Sequence, residues 1–171
     1  MRQPADKENA FLQRMEAHKG ILYKVCKLYQ DREEDRKDLL QEILAQLWVS
    51  YDSFRGDSEF SSWMYRVALN TAIIHFKKGQ RALQVFTREP YPDLADVPRK
   101  VTEQEEQLEI FYRAVQRLNK LEKALIFLYM EGRPGKEIAQ ILGLSAVGAR
   151  VRLNRVKDKL QTIIKIMGYE L

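Results

Sequence analysis

The amino-acid sequence predicts an all-α protein made of two small helical domains joined by a flexible, proline-containing linker. Three observations carry that prediction. Apolar residues recur at threes and fours along most of the chain, the spacing that lines up one face of a helix. No stretch alternates apolar and polar residues as a half-buried strand does, and no internal repeat is evident. Pro90, Pro92 and Pro98 crowd between Thr87 and Val101 together with Asp93 and Asp96, which is too much proline for a helix. The 171 residues and 45% hydrophobic content suffice for packed cores in one ordinary domain or two small ones. The change of pattern on either side of the prolines favours two.

Each element follows from local chemistry. From Phe11, the residues Leu12, Met15, Ile21, Leu22, Val25 and Tyr29 form a helical stripe that stops before the charged run Asp31 to Arg36. Leu39, Leu40, Ile43, Leu44, Leu47, Trp48 and Tyr51 make a second stripe, with Asp38, Gln41, Glu42 and Gln46 on the other faces. Phe54-Arg55-Gly56-Asp57 breaks it. Asp57 or Ser58 can cap a third helix running to about Lys78, with Phe60, Trp63, Met64, Val67, Ala68, Thr71 and Ala72 inward.

Beyond the linker, assigned to 87–101, Thr102-Glu103-Gln104-Glu105 matches a capping box ahead of Leu108, Phe111, Tyr112, Val115 and Leu118. Asn119 can cap the next helix, Pro134 suits the first position of another, Gly143 stops that one, and Ser145 caps a long last helix. The domains so defined are 8–86 and 102–171.

Charge is segregated. The net charge is only +5. Between Arg66 and Arg88 stand five Lys or Arg and no acid, and between Ser145 and Lys165 six bases face Asp158 alone. Asp31 to Glu59 holds nine acids against four bases. The two basic segments suit phosphates, and the acidic one suits a basic protein surface. The lone Cys26 cannot form an internal disulfide and reads as a buried free thiol in a reducing compartment. The polar N-terminus resembles no signal peptide, and no apolar run approaches the roughly 20 residues a bilayer span needs, so a soluble cytoplasmic protein without membrane insertion is expected. His18 and His75 lie far apart without a spaced set of ligands, and there is no phosphate-cradling glycine loop or nucleophile elbow. Neither metal, cofactor, small-molecule substrate nor enzymatic activity is expected.

Gly135 to Ser145 followed by a basic helix has the layout of a helix-turn-helix: Ala139 is small where two helices approach, Gly143 makes the turn, Leu144 plugs the core and Ser145 caps the second helix. One face of that helix can pack through Val147, Ala149 or Val151, Leu153 and Val156, while the other enters a major groove.

Two stretches carry a resemblance. Asp38-Leu39-Leu40-Gln41-Glu42, Leu47-Trp48 and the run from Tyr51 to Ala72, with its Phe54-Arg55-Gly56-Asp57-Ser58 and Trp63-Met64-Tyr65-Arg66-Val67-Ala68-Leu69-Asn70, resemble region 2 of sigma factors of the extracytoplasmic-function group. Leu118 to Leu160 resembles their region 4. The resemblance implies a transcription initiation factor with core RNA polymerase and promoter DNA as partners, an anti-sigma factor as a possible further one, and a linker threading the polymerase's RNA exit path. It places Asp38, Gln41 and Glu42 against the clamp helices of the polymerase β′ subunit.

It assigns the non-template strand of the minus-ten element to Arg66, Asn70 and Thr71, with Lys77, Lys78, Gly79, Gln80 and Arg81 as a loop closing over an extruded base. It assigns the minus-thirty-five element to Lys136, Ser145, Arg150, Val151, Arg152, Asn154, Arg155 and Lys157; of these Arg150, Val151, Asn154 and Arg155 would face bases, and Arg152 and Lys157 phosphates. Trp63 on the apolar stripe reads as core; Tyr65, off the stripe, reads equally as core or as a stacking platform. The chain departs from the family at Pro134-Gly135, where Ser-Tyr is common, and at Gly148-Ala149, where Thr-Val is common. Two other readings of the residues stand beside this one: a conventional activator or repressor with a C-terminal helix-turn-helix, and a helical interaction protein that binds no DNA.

Overall fold

The computed structural model describes residues 4–83 and 102–169, and every regular element among them is helical. α1 spans Pro4–Tyr29 and α2 Glu33–Ser50, followed by a 3-10 turn at Tyr51–Ser53 and α3 at Phe60–Leu83. The second half comprises α4 at Glu103–Gln116, α5 at Lys120–Met130, α6 at Gly135–Leu142 and α7 at Ala146–Ile166. The segment assigned as linker lies outside the described residues.

α1, α2 and α3 form a bundle. Leu39, Ile43 and Leu47 of α2 and Met64, Ala68 and Ala72 of α3 are fully buried, and the alanines let the helices approach closely. α1 contributes Phe11, Met15, Leu22 and Val25, and its Cys26 is buried as expected. Burial pushes the Cys26 thiol up to about 11, so it stays protonated and inert. One end of the bundle is closed by aromatic rings: Phe11 meets Trp48 at 5.1 Å and Tyr51 at 5.0 Å, and Phe54, Phe60 and Trp63 meet one another at 5.3 to 5.5 Å. Trp63 is therefore a packing residue.

Two boundaries differ from expectation. α3 begins at Phe60, and Glu59, not Asp57 or Ser58, precedes its first turn, its carbonyl accepting from the Trp63 amide at 3.2 Å. It also runs on to Leu83, so the backbone from Lys77 to Arg81 is helical where a loop was expected. No proline occurs between Phe60 and Pro90, and Gly79 alone costs only about 1 kcal/mol relative to alanine.

In the second half local capping rules are obeyed. Thr102 with Glu105 and Asn119 with Glu122 both form reciprocal capping boxes. Pro134 stands at the N-cap of α6 rather than inside its first turn, and its carbonyl accepts from the Ile138 amide at 3.0 Å. α4, α5, α6 and α7 enclose Ala114, Val115, Ala124, Leu125, Leu128, Ile138 and Leu153.

The halves expected as separate modules pack together, and their buried apolar residues form one continuous cluster. α5 and α6 lie against the N-terminal part of α3, and Tyr29 of α1 donates its hydroxyl to the Lys120 carbonyl at 2.7 Å.

Candidate nucleic-acid interface

α6 and α7 are joined by a turn that one residue type permits. Gly143 ends α6 in the left-handed region (φ 66°), where a side chain is strained, and the Leu144 amide turns back to the Ala139 carbonyl at 2.9 Å. Ala139 is buried at the crossing. The Ser145 hydroxyl then caps α7 by accepting from the Gly148 amide at 3.0 Å. A Cβ at Gly148 would stand 2.7 Å from that hydroxyl oxygen. The departure from the family pattern at this position therefore fits a cap held tightly against the helix.

α7 packs through Ala149, Leu153, Val156, Leu160 and Ile164, spaced for one face. At 100° per residue the opposite side carries Val147, Val151, Asn154 and Arg155, with Arg150 and Arg152 on the flanks, and all six are exposed. Arg150, Arg152 and Arg155 form no ion pair among the described residues, so their charges are available to a ligand. Arg152, Arg155 and Val151 line one side of a shallow groove of about 500 Å³ closed by Asn119 and Glu122 of α5. Lys136 and Arg150 share a second depression with Val147 on the other side.

Lys157 is placed differently: its Nζ stands 3.7 Å from the centre of the Tyr129 ring. Ser145 presents a hydroxyl already used as a cap. Neither therefore resembles the free cations of α7.

On α3, Arg66 and Asn70 are exposed, whereas Thr71 is buried and its hydroxyl donates to the Val67 carbonyl at 2.7 Å. Asn70 and Thr71 border a concavity of about 310 Å³ between α2 and α3, whose further lining includes Glu42, Gln46, Ser50 and His75. That volume falls in the range of small-ligand sites, about 300–1,000 Å³. Gln46, Ser50 and His75 were not assigned to any site from the sequence. The signal that could have found them is the i, i+4 row Glu42, Gln46, Ser50, a polar ridge beside the apolar stripe. The side chains of Lys77, Lys78, Gln80 and Arg81 lie outside the description.

On α2, Asp38 and Gln41 are exposed, and Glu42 is half-buried at the concavity, so it stands between two candidate surfaces. Glu33, Glu34 and Asp35 complement the positive N-terminus of the helix. Leu44, Trp48 and Val49, in the C-terminal half of α2, remain exposed. No cluster of metal-ligating side chains occurs among the described residues, and none of their helices is long and apolar enough to cross a membrane.

A packed three-helix bundle and a capped helix-turn-helix in this order define a class, and comparison with known proteins agrees. Residues 15–82 match Sigma-70 region 2 and residues 108–160 match Sigma-70, region 4. The chain is 30% identical to the ECF RNA polymerase sigma-E factor of Escherichia coli K12 over 77% of its own length and 76% of that protein. It is 26% identical to the ECF RNA polymerase sigma factor SigG of Mycobacterium tuberculosis H37Rv over 95% of its length, and spans about half (51%) of that relative. Its fold resembles that of the sigma factor RpoE of Bartonella quintana, solved in complex with the anti-sigma factor NepR (TM-score 0.66, 22% identity, 94% of this chain and 98% of that one). CnrH, solved with the cytosolic domain of CnrY, is similarly related (TM-score 0.64, 22% identity, 93% and 90%). The chain belongs to the extracytoplasmic-function (ECF) family of RNA polymerase sigma factors.

Proposed function

We propose that the chain binds core RNA polymerase in the cytoplasm and directs it to promoters, contributing binding energy to duplex opening and no bond chemistry of its own. The observation that carries this reading is the coexistence, on one member of this family, of a capped recognition helix with three unpaired arginines and a concavity beside Asn70. α7 enters the major groove of the minus-thirty-five element, where Arg155 and Asn154 reach base edges, Arg150 joins them from one flank and Arg152 meets phosphates on the other. Lys136 and the cap of α7 at Ser145 hold register at the backbone, and Lys157 lends its charge from beside Tyr129.

The concavity takes an extruded base of the minus-ten strand, with Asn70 and Gln46 on its polar edge and Arg66, Lys77, Lys78, Gln80 and Arg81 along the strand. Thr71 shapes its wall. Asp38, Gln41 and Glu42 of α2 dock on the polymerase, the acidic helix meeting a basic partner. The domains act as 8–86 and 102–171 with 87–101 as linker. One solved neighbour, RpoE, is in complex with the anti-sigma factor NepR. The apolar groove between α1 and α4 and α5, bordered by Leu28, Phe111, Tyr112 and Met130, suits a helical partner of that kind.

Run-off transcription with purified core polymerase, on a promoter mapped from transcript starts after overexpression, tests the reading. A specific start dependent on this chain is expected. A chain that binds duplex DNA tightly alone and leaves the polymerase inert would instead be a conventional repressor.

A further inference from the structure

The outward line of α7 begins with two apolar side chains. Ala149 and Leu153 turn into the core, whereas Val147 and Val151 stand 62% and 40% exposed and take no part in the buried apolar cluster. Of the residues that could pack from the first turns of this helix, Ala149 therefore does and the two valines do not. Four positions apart, they lie side by side within about 40° of each other, centred opposite the buried face. Helix propensity gives no reason for them, since β-branched side chains lose freedom on a solvated helix and rank below lysine, arginine or glutamate.

Cations border both. Val147 shares a depression with Lys136 and Arg150, and Val151 a groove with Arg152 and Arg155. The same line of the helix continues to Asp158, exposed about two turns beyond Val151. A carboxylate there repels phosphates, so the part of α7 suited to a nucleic acid is its first three turns or so, the end from which a recognition helix touches base edges.

We infer that Val147 and Val151 form a methyl-reading edge, packing together on the 5-methyl group of a thymine in the minus-thirty-five element. The inference rests on the proposed function for placing α7 in the major groove. Thymine is the one standard base with an apolar group on its major-groove edge, and an isopropyl side chain has no donor or acceptor with which to choose any other. The arginines on either side take guanine or phosphate, which leaves the strip between them to a base recognised without charge. A protein partner suits the strip less well, because two valines fall far short of the roughly 800 Å² that each side of a stable interface buries.

Uracil in place of thymine removes that methyl and nothing else. The assay is competition binding by the holoenzyme, reconstituted from the full-length chain and core polymerase, on synthetic duplexes of the mapped promoter. Each thymine on either strand of the upstream element is replaced in turn. Such duplexes contain no methylated cytosine, so any methyl read in them belongs to thymine. Uracil at one position, or at two neighbouring ones, should weaken binding about fourfold, the effect of leaving one methyl unburied. Val147→Ala combined with Val151→Ala draws the apolar surface back from the base while favouring the helix, and should abolish the difference at that position. Arg152→Ala should weaken binding to both duplexes and keep the preference for thymine. Equal binding of thymine and uracil at every position would overturn the inference, as would an upstream element without an A·T pair. A preference that survives in the double valine variant would also overturn it, tracing the effect to the duplex or to another side chain. Absence of any start dependent on this chain refutes the proposed function itself, whereas a normal start with thymine and uracil equivalent refutes only the methyl-reading edge.

Discussion

Replacing Gly148 by alanine sets two local effects against each other. In an exposed helix interior the change favours the helix by about 1 kcal/mol. Here the new Cβ would fall 2.7 Å from the Ser145 hydroxyl oxygen, the atom that accepts the Gly148 amide at 3.0 Å. Moving that oxygen sacrifices a cap worth about 1 kcal/mol. Gly148→Ala alone should therefore leave stability within about 0.5 kcal/mol of wild type, where an ordinary helix glycine would gain twice that. With Ser145→Ala the nearest obstacle is the residue 145 Cβ at 4.0 Å, ordinary contact, and the same change should recover its full gain of about 1 kcal/mol. Urea unfolding of the four proteins of the cycle measures the coupling, and in thermal melts it corresponds to roughly 2–4 °C. Equal gains in both backgrounds would show that the serine turns aside without losing its bond, and the steric account of this glycine would be wrong.

Further outcomes follow from the same geometry. Arg155→Ala should weaken duplex binding by about 1–3 kcal/mol and relax base preference at one position of the upstream element; a uniform loss across sequences, seen by competition gel shift, would reassign it to a phosphate. Asn70→Ala should lower open-complex formation about two- to tenfold with little change in initial docking, compared by permanganate reactivity and gel shift. Equal losses in both steps would remove Asn70 from the extruded base. For Cys26 the folded thiol holds its proton up to about 11 against an ordinary 9.0, so the folded form binds a proton that the unfolded form releases. Stability is then fully present below about pH 9 and declines as pH rises towards about 11. Denaturant midpoints across that window should fall less steeply in Cys26→Ala, whatever its cavity costs at neutral pH.

What could be read from the sequence was short-range. The boxes at Thr102 and Asn119, the stop at Gly143 and the cap at Ser145 each depend on residues within four positions, and each forms in the structure. The buried line Leu39, Ile43 and Leu47 of α2 was legible for the same reason, although Leu44 and Trp48, read into the same stripe, are exposed. The second buried face of α3 was not, because nothing near Tyr65 in the chain announces that Phe127 and Arg133 will cover it. Burial there is decided by residues more than sixty positions away. The candidate site divides along the same line: Asn70 and the α7 arginines came from motif and charge, whereas Gln46, Ser50 and His75 became visible only when α2 was laid beside α3. The sequence reading ended α3 near Lys78, whereas the helix runs on to Leu83.

The carboxylate of Glu122 closes the capping box of α5 and also holds Lys159 of α7 at 2.8 Å. A side chain already neutralised in this way has little condensed anion to shed when the helix meets DNA, whereas Lys157, held over Tyr129, keeps its charge. On the proposed reading Lys159 is already paired and Lys165 stands at the far end of the helix, so Arg150, Arg152, Arg155 and Lys157 are the bases that displace cations from the duplex, a logarithmic salt dependence of roughly −3.6 from this element. The fold thus tunes how steeply promoter affinity answers to the ionic state of the cell.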